Sequence, residues 1–202
     1  MFNEMIHSQI GLILLAAGES KRMGQPKQLL KYQGQSLIRH AAEVAIASSC
    51  HPIVIVLGAY GDRIKLEIDN LPIYICQNPN WQQGMGASIS VGIETLMLNE
   101  SELDGVIIAL ADQPLITAKV YNQLIETDRE QAPKAIASTY SDTLGVPALF
   151  DRSLFSQLLS MKTKGGAKQL LANYSDRPSN LHVPQAATDI DTPTDYQKLL
   201  SL

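Results

Sequence analysis

The sequence predicts a three-layer α/β/α domain on a mainly parallel sheet, with an antiparallel excursion near residues 135–150. Three observations carry that prediction. Short apolar runs rich in Val, Ile and Leu recur along the chain, the composition of strands buried on both faces. Amphipathic stretches lie between them, joined by short links, so strand–helix–strand crossovers are the natural connection. After about residue 134 the rhythm changes, and two apolar runs follow one another with only a turn between.

In order along the chain, residues 10–15 form the first run. Residues 37–49 read as a helix with apolar positions 37, 38, 41, 44 and 45, and Ser36 is placed to cap it. Runs at 53–57, 73–76 and 106–110 supply further buried strands. Helices are expected from about Ser88 to Leu98, and from Ala118 to Glu130 behind Thr117. In the second, Val120, Leu124 and Ile125 share one face. Residues 135–140 and 146–150 read as strands joined by a turn at 141–145, an antiparallel excursion at one edge of the sheet. Helices near 153–159 and 167–172 and a short strand at 181–183 follow. The last helix has a strong start, with Thr192 as N-cap, Pro193 at the first helical position and Asp195 at the positive helix end. No internal repeat, low-complexity tract or linker interrupts the 202 residues, so 1–202 reads as one domain.

Composition narrows the function. A hydrophobic fraction of 45% and a charged fraction of 18% exclude disorder as the main description. Sixteen Lys and Arg against twenty Asp and Glu leave a net charge of −4. That balance argues against a nucleic-acid wrapper or a coat for anionic membranes. No apolar run approaches the roughly 18 residues of a membrane span. The first nine residues carry Glu4 and no basic start before an apolar core, so no signal peptide is expected and the cytoplasm is the expected location. Cys50 and Cys76 make neither a disulfide framework nor a zinc site by spacing. His7, His40, His51 and His182 form no metal-binding pattern.

In open α/β sheets, ligands bind beyond the carboxyl ends of the strands. The loop after the first strand runs Leu15-Ala16-Ala17-Gly18-Glu19-Ser20-Lys21-Arg22-Met23-Gly24-Gln25-Pro26-Lys27. Small residues at 16–18 admit a ligand close to the backbone, and Lys21, Arg22 and Lys27 suit a polyphosphate. Neither a Walker loop nor a Gly-x-Gly-x-x-Gly fingerprint is present, and a surface loop with solvated charges is the plainer alternative. Asp112, in Ala111-Asp112-Gln113-Pro114, is placed either to hold a hard cation or to cap the turn before Thr117. Asp191, in Asp189-Ile190-Asp191-Thr192-Pro193, suits either a metal or the last helix start. Two carboxylates plus phosphate oxygens is a usual way of holding magnesium. The loop Asn78-Pro79-Asn80-Trp81-Gln82-Gln83-Gly84-Met85-Gly86-Ala87-Ser88 offers backbone groups to a base edge, and Trp81 either lines a pocket or packs.

Together these motifs, with Gly145-x-Pro147-x-x-Phe150, resemble the MobA-like nucleotidyltransferases, a family with Rossmann-like domains. The likeness spans roughly residues 10 to 200 and is strongest to the branch containing molybdenum cofactor cytidylyltransferase. It implies transfer of CMP from CTP to the phosphate of a molybdenum-loaded pterin, with Mg2+ as cofactor and a recipient molybdoenzyme downstream. Leu15, Ala16, Ala17, Gly18 and Ser20 would form the nucleotide loop, with Gly84 and Ser88 closing on the base. Arg22 and Lys27 would bind the triphosphate, Asp112 and Asp191 the metal, and Arg22, Lys27 and Asp112 would be catalytic. Guanylyl-type relatives tend to show Leu-Ala-Gly-Gly at the start; Leu15-Ala16-Ala17-Gly18 and Gly84-Met85-Gly86-Ala87-Ser88 resemble the cytidylyl type. Two departures fall on the acceptor side: Leu144 stands where the family often has Arg, and Lys162-Thr163-Lys164-Gly165-Gly166-Ala167-Lys168 replaces Gly-Asp-x-Gly-Ala-Arg. A guanylyltransferase, a transferase for another phosphorylated acceptor, and a non-catalytic cofactor carrier or insertion chaperone are the alternatives.

Overall fold

A computed structural model describes residues 9–161, 166–174 and 180–202. Its elements run β1 (Ile10–Ala16), β2 (Lys31–Tyr32), β3 (Gln35–Ser36), α1 (Leu37–Ile46), β4 (Ile53–Leu57), α2 (Gly61–Lys65), β5 (Tyr74–Gln77), α3 (Met85–Asn99) and β6 (Gly105–Leu110). There follow α4 (Ala118–Gln131), β7 (Ala135–Tyr140), β8 (Thr143–Asp151), α5 (Phe155–Leu159), α6 (Gly166–Ala172), β9 (Leu181–His182) and α7 (Pro193–Leu200).

Among the described residues the main sheet has the order β5-β4-β1-β6-β8-β7-β9. Every residue of β1 is buried, and β1 pairs in parallel with β4 and β6. Successive strand residues point to opposite faces, so β1 divides its side chains between two cores. Ile10, Leu12 and Leu14 pack with Ile38 and Ala42 of α1 and Leu124 of α4. Ile13 and Leu15 pack with Ile89, Ile93 and Leu96 of α3, Leu158 of α5 and Leu170 of α6. Helices thus cover both faces, the α/β/α layering the alternating pattern predicts.

The antiparallel excursion is present, but its reversed strand is not at the edge. β8 lies between β6 and β7, antiparallel to both, and β9 lies outside β7. Ser141 and Asp142 have φ of 47° and 56°, which closes a two-residue hairpin. The turn is therefore shorter than the expected 141–145, and β8 starts at Thr143. The run expected at 73–76 is β5, shifted by one residue and not buried on both faces. It has a single neighbour, β4, and leaves Tyr74 and Gln77 exposed. Gly84, at φ 113°, lets α3 begin a turn earlier than expected. Neither Ser36 nor Thr117 makes a side-chain cap bond; the Ser36 hydroxyl is buried without a partner. α7 follows expectation, with a reciprocal capping box between Thr192 and Asp195. Lys162 and Lys164 lie outside the described residues, while Lys168 is exposed on α6.

The helix that backs the site packs on the sheet through a glycine. A Cβ at Gly92 would lie 2.8 Å from Ile13 Cγ2 and 3.1 Å from Val56 Cγ2. Gly92→Val overpacks this contact and should cost about 1–3 kcal/mol. Urea unfolding should show a lower midpoint at unchanged slope; an unchanged midpoint contradicts this account of the α3 contact.

Candidate active site

The segments that follow β1, β5 and β6 meet the one before α7 and enclose a cavity of about 420 Å³. The residues expected to hold nucleotide, phosphate or metal all line it: Leu15, Ala16, Ala17, Gly18, Ser20, Arg22, Lys27, Gly84, Ser88, Asp112 and Asp191.

The loop after β1 is shaped by a residue that sequence reasoning missed. Gln28 is 4% exposed, and its amide donates to the carbonyls of Ala16 (3.1 Å) and Gly18 (3.0 Å). Its carbonyl oxygen accepts from Ser20 Oγ at 3.3 Å, and Ser20 Oγ accepts from the Lys27 amide at 3.2 Å. Ser20 itself has φ of 57°, and its carbonyl receives the amides of Met23 and Gly24. The loop curls back on itself so that Lys27 faces inward. Gly58, after β4, permits the neighbouring loop to lie on Ala17. A Cβ there would collide with the Ala17 carbonyl, and Ala59 donates to that same oxygen.

The loops carrying Asp112 and Asp191 are stitched together. The Ile190 amide donates to the Asp112 carbonyl at 2.9 Å, and the Ala111 amide donates to Leu15. Buried Gln113 donates to the carbonyls of Ala186 (3.0 Å) and Val146 (3.4 Å). His40 Nε2 lies 3.0 Å from the Pro114 carbonyl, with Tyr32 edge-on against its ring. Gln113 and His40 were also missed, because each acts on a loop far from it in sequence.

The charges meet in a chain. Lys27 Nζ lies 2.5 Å from Asp112 Oδ2 and 2.8 Å from Asp191 Oδ1. Arg22 reaches Asp191 Oδ2 at 2.7 Å. Lys21, grouped with these two by sequence, instead turns outward to Glu19 at 3.2 Å. Burial alone would pull the Lys27 ammonium down, but Asp112 and then Asp191 outweigh it, so its pKa is raised. Asp189 stands on the same side. Burial, then the Asp112 charge, push its carboxyl up to about 6. Negative charge is in excess here.

A metal can be tested against this arrangement. Asp112 Oδ1 is buried and has no hydrogen-bond partner, an acceptor oriented toward nothing the chain supplies. Among the described residues no group of three His, Cys, Asp or Glu side chains converges as a metal cage. Two carboxylates with a spare oxygen fit an ion that keeps its waters and takes phosphate oxygens, as magnesium does. Asp112 and Asp191 are the residues able to hold it.

The opposite wall is built by Asn78, 1% exposed. Its amide donates to Ser88 Oγ at 2.9 Å, and its carbonyl oxygen accepts from the Asn80 amide. Ser88 keeps its own proton free to donate. Trp81 is half-buried and lines the cavity.

This geometry agrees with what the chain is similar to. It is 34% identical over 141 residues to nicotine blue oxidoreductase of Paenarthrobacter nicotinovorans, covering 69% of this chain and 66% of that protein. It is 23% identical over 190 residues to molybdenum cofactor cytidylyltransferase of Escherichia coli, covering 94% of each. Among solved structures, Rv0371c of Mycobacterium tuberculosis superposes with a TM-score of 0.81 at 25% identity, covering 97% of this chain and 100% of that one. Residues 12–178, which span the first loop, Asp112 and the wall at Asn78, match the MobA-like NTP transferase domain, and the chain belongs to that family.

Proposed function

We propose that residues 1–202 work as one magnesium-dependent domain that transfers CMP from CTP to the phosphate of the molybdenum cofactor, releasing pyrophosphate. The observation that carries the transferase reading is the meeting of Lys27 with Asp112 and Asp191 in a cavity walled by Ala16, Ala17 and Gly18. The choice of CTP rests on Leu15-Ala16-Ala17-Gly18 and on the Gly84 to Ser88 segment. The pterin acceptor rests on the resemblance to the cytidylyltransferase branch. A recipient molybdoenzyme then follows as partner. The cytoplasm is the proposed location; no described helix is long and apolar enough to cross a membrane.

In this reading the terminal phosphate of the acceptor attacks the α-phosphorus of CTP. A new phosphorus–oxygen bond forms, the bond to the β-bridging oxygen breaks, and its electron pair leaves with pyrophosphate. A phosphate attacker is already ionised at neutral pH, so no general base is needed, and the cavity lining contains no histidine. The chain's contribution is positioning and charge neutralisation. Backbone at Ala16 to Gly18 holds the nucleoside from one side, Gly84 and the Ser88 hydroxyl from the other. Lys27 and Arg22 offset charge on the phosphates. Magnesium held by Asp112 and Asp191 would add charge neutralisation at the phosphate oxygens.

The name of the 34% relative favours an oxidoreductase as a second reading. Against it, the chain lacks the dinucleotide glycine fingerprint. Burial also holds both cysteines as thiols, pushing Cys50 up to about 11 and raising Cys76.

Pyrophosphate release should be measured with each of the four nucleoside triphosphates, with and without the molybdenum-loaded pterin. CTP with the pterin should be the productive pair. Equal release with GTP removes the base assignment, and release from none removes the transferase reading. Lys27→Ala and Asp112→Ala should keep the circular dichroism of the sheet and lose about 100-fold or more in turnover; wild-type turnover in either would refute their placement. Asp189 gives a pH prediction. Its folded pKa of about 6 exceeds the ordinary 3.8, so the folded chain keeps a proton that the unfolded chain releases. Its favourable contribution is complete below pH 3.8 and is lost as pH rises through about 6. Asp189→Asn should raise the melting temperature at pH 7.5 and leave it nearly unchanged at pH 4. A variant no more stable at pH 7.5 would show that Asp189 is not crowded by its neighbours.

A further inference from the structure

We propose that Lys27 is the resident counter-ion of the metal site, so that the chain resists a divalent cation until an anion draws the ammonium away. This inference rests on the nucleotide-transfer reading only for the identity of that anion. Of the four oxygens on Asp112 and Asp191, three already face a cation. Lys27 Nζ takes one from each residue, at 2.5 and 2.8 Å, and Arg22 takes the second oxygen of Asp191 at 2.7 Å. Only Asp112 Oδ1 is unpartnered, and it is buried. A divalent ion arriving alone must share these oxygens with an ammonium at hydrogen-bond distance or displace it.

Displacement is resisted because the Lys27 side chain is only 11% exposed. A buried ammonium stripped of its carboxylates is left unpaired, which is strongly unfavourable. Arg22 is different. Its side chain is 69% exposed and swings into water readily. The barrier to metal binding is therefore Lys27. A polyphosphate in the adjoining cavity, which Lys27 and Arg22 both line, offers the ammonium a new partner and frees both carboxylates. Metal and polyphosphate then promote each other's binding by the same factor, as linkage requires. The two carboxylates never lack a cation, and the cavity never holds a triphosphate without Lys27 to meet it.

The test is manganese binding to the full chain, read by electron paramagnetic resonance of the free ion. With the metal alone, Lys27→Gln should bind manganese about tenfold or more tightly than wild type, within the usual span of coupling between sites. Lys27→Met provides a second variant should the first lose its circular dichroism. Adding CTP should raise the wild-type affinity, after allowance for metal–CTP complexation, by a larger factor than it raises that of Lys27→Gln. Asp112→Asn should bind weakly in every case. Equal manganese affinity of wild type and of folded Lys27 variants, with metal alone, overturns the proposal. That comparison needs no nucleotide, so it stands apart from the transferase reading, which fails instead if no nucleoside triphosphate binds to any form.

Discussion

The hydrogen bond from the Ile190 amide to the Asp112 carbonyl, 2.9 Å long, fixes how the rest of the site is arranged. It joins the loop after β6 to the segment before α7, and so sets the spacing of Asp112 and Asp191 around one ammonium. Its own net contribution is about 1 kcal/mol. The energy that holds it comes from a small core beside it, where Met23, Leu37, Ile190 and Leu199 are buried together. Each such side chain contributes about 1.5–3 kcal/mol on burial, so the core outweighs the bond. The bond determines register and the core determines strength. Met23 belongs to the first loop, Leu37 to the start of α1, and Ile190 and Leu199 flank and form part of α7. Three segments of the chain are therefore held by one cluster.

Electrostatics on this frame divides into interactions that matter and those that do not. Lys31 with Glu67 and Lys21 with Glu19 are mostly exposed pairs of the kind that contribute about 0–1 kcal/mol. The Lys27 bridge is of another kind. Lys27 is 11% exposed against 20% and 32% for its partners, so removing one member strands a poorly solvated charge and costs more than losing an exposed pair. The site thus holds a strong internal pairing at the position where the proposed nucleotide and metal would bind. Gln28, with its donor amide on two carbonyls and its oxygen on Ser20, keeps the loop from relaxing around that pairing.

Much of this was legible from sequence, for identifiable reasons. The central strands were, because β1, β4 and β6 are buried on both faces and so are continuously apolar. The start of α7 was, because Thr192, Pro193 and Asp195 are chemically specific to a helix N-terminus. The cavity lining was, because small residues and charges cluster in the loops after strands. Features without a period were not. The β2 and β3 strands are two residues each and α2 is five, too short for any pattern to show. The exposure of β5 and the interior position of β8 depend on which strand lies alongside, which periodicity does not encode. Gln28, Asn78, Gln113 and His40 act through hydrogen bonds to backbone or side chains elsewhere. Sequence also assigned the cations to phosphate and the carboxylates to metal separately. Their mutual neutralisation spans 85 residues for Lys27 with Asp112 and 164 for Lys27 with Asp191.

Those separations bear on the order in which the molecule is made. The parallel core of β5, β4, β1 and β6 uses only residues up to Leu110. Doubling a loop costs only about 0.6 kcal/mol in closure entropy, so the long Lys27–Asp191 span is no burden on final stability. Contacts between distant residues nonetheless form late, because the intervening chain must first be brought in. Asp191 lies well beyond Leu110 and leaves the ribosome after those strands. A nascent chain that has already folded its central strands still lacks half of its carboxylate pair, and the charge cluster is completed only once the segment carrying Asp191 has emerged.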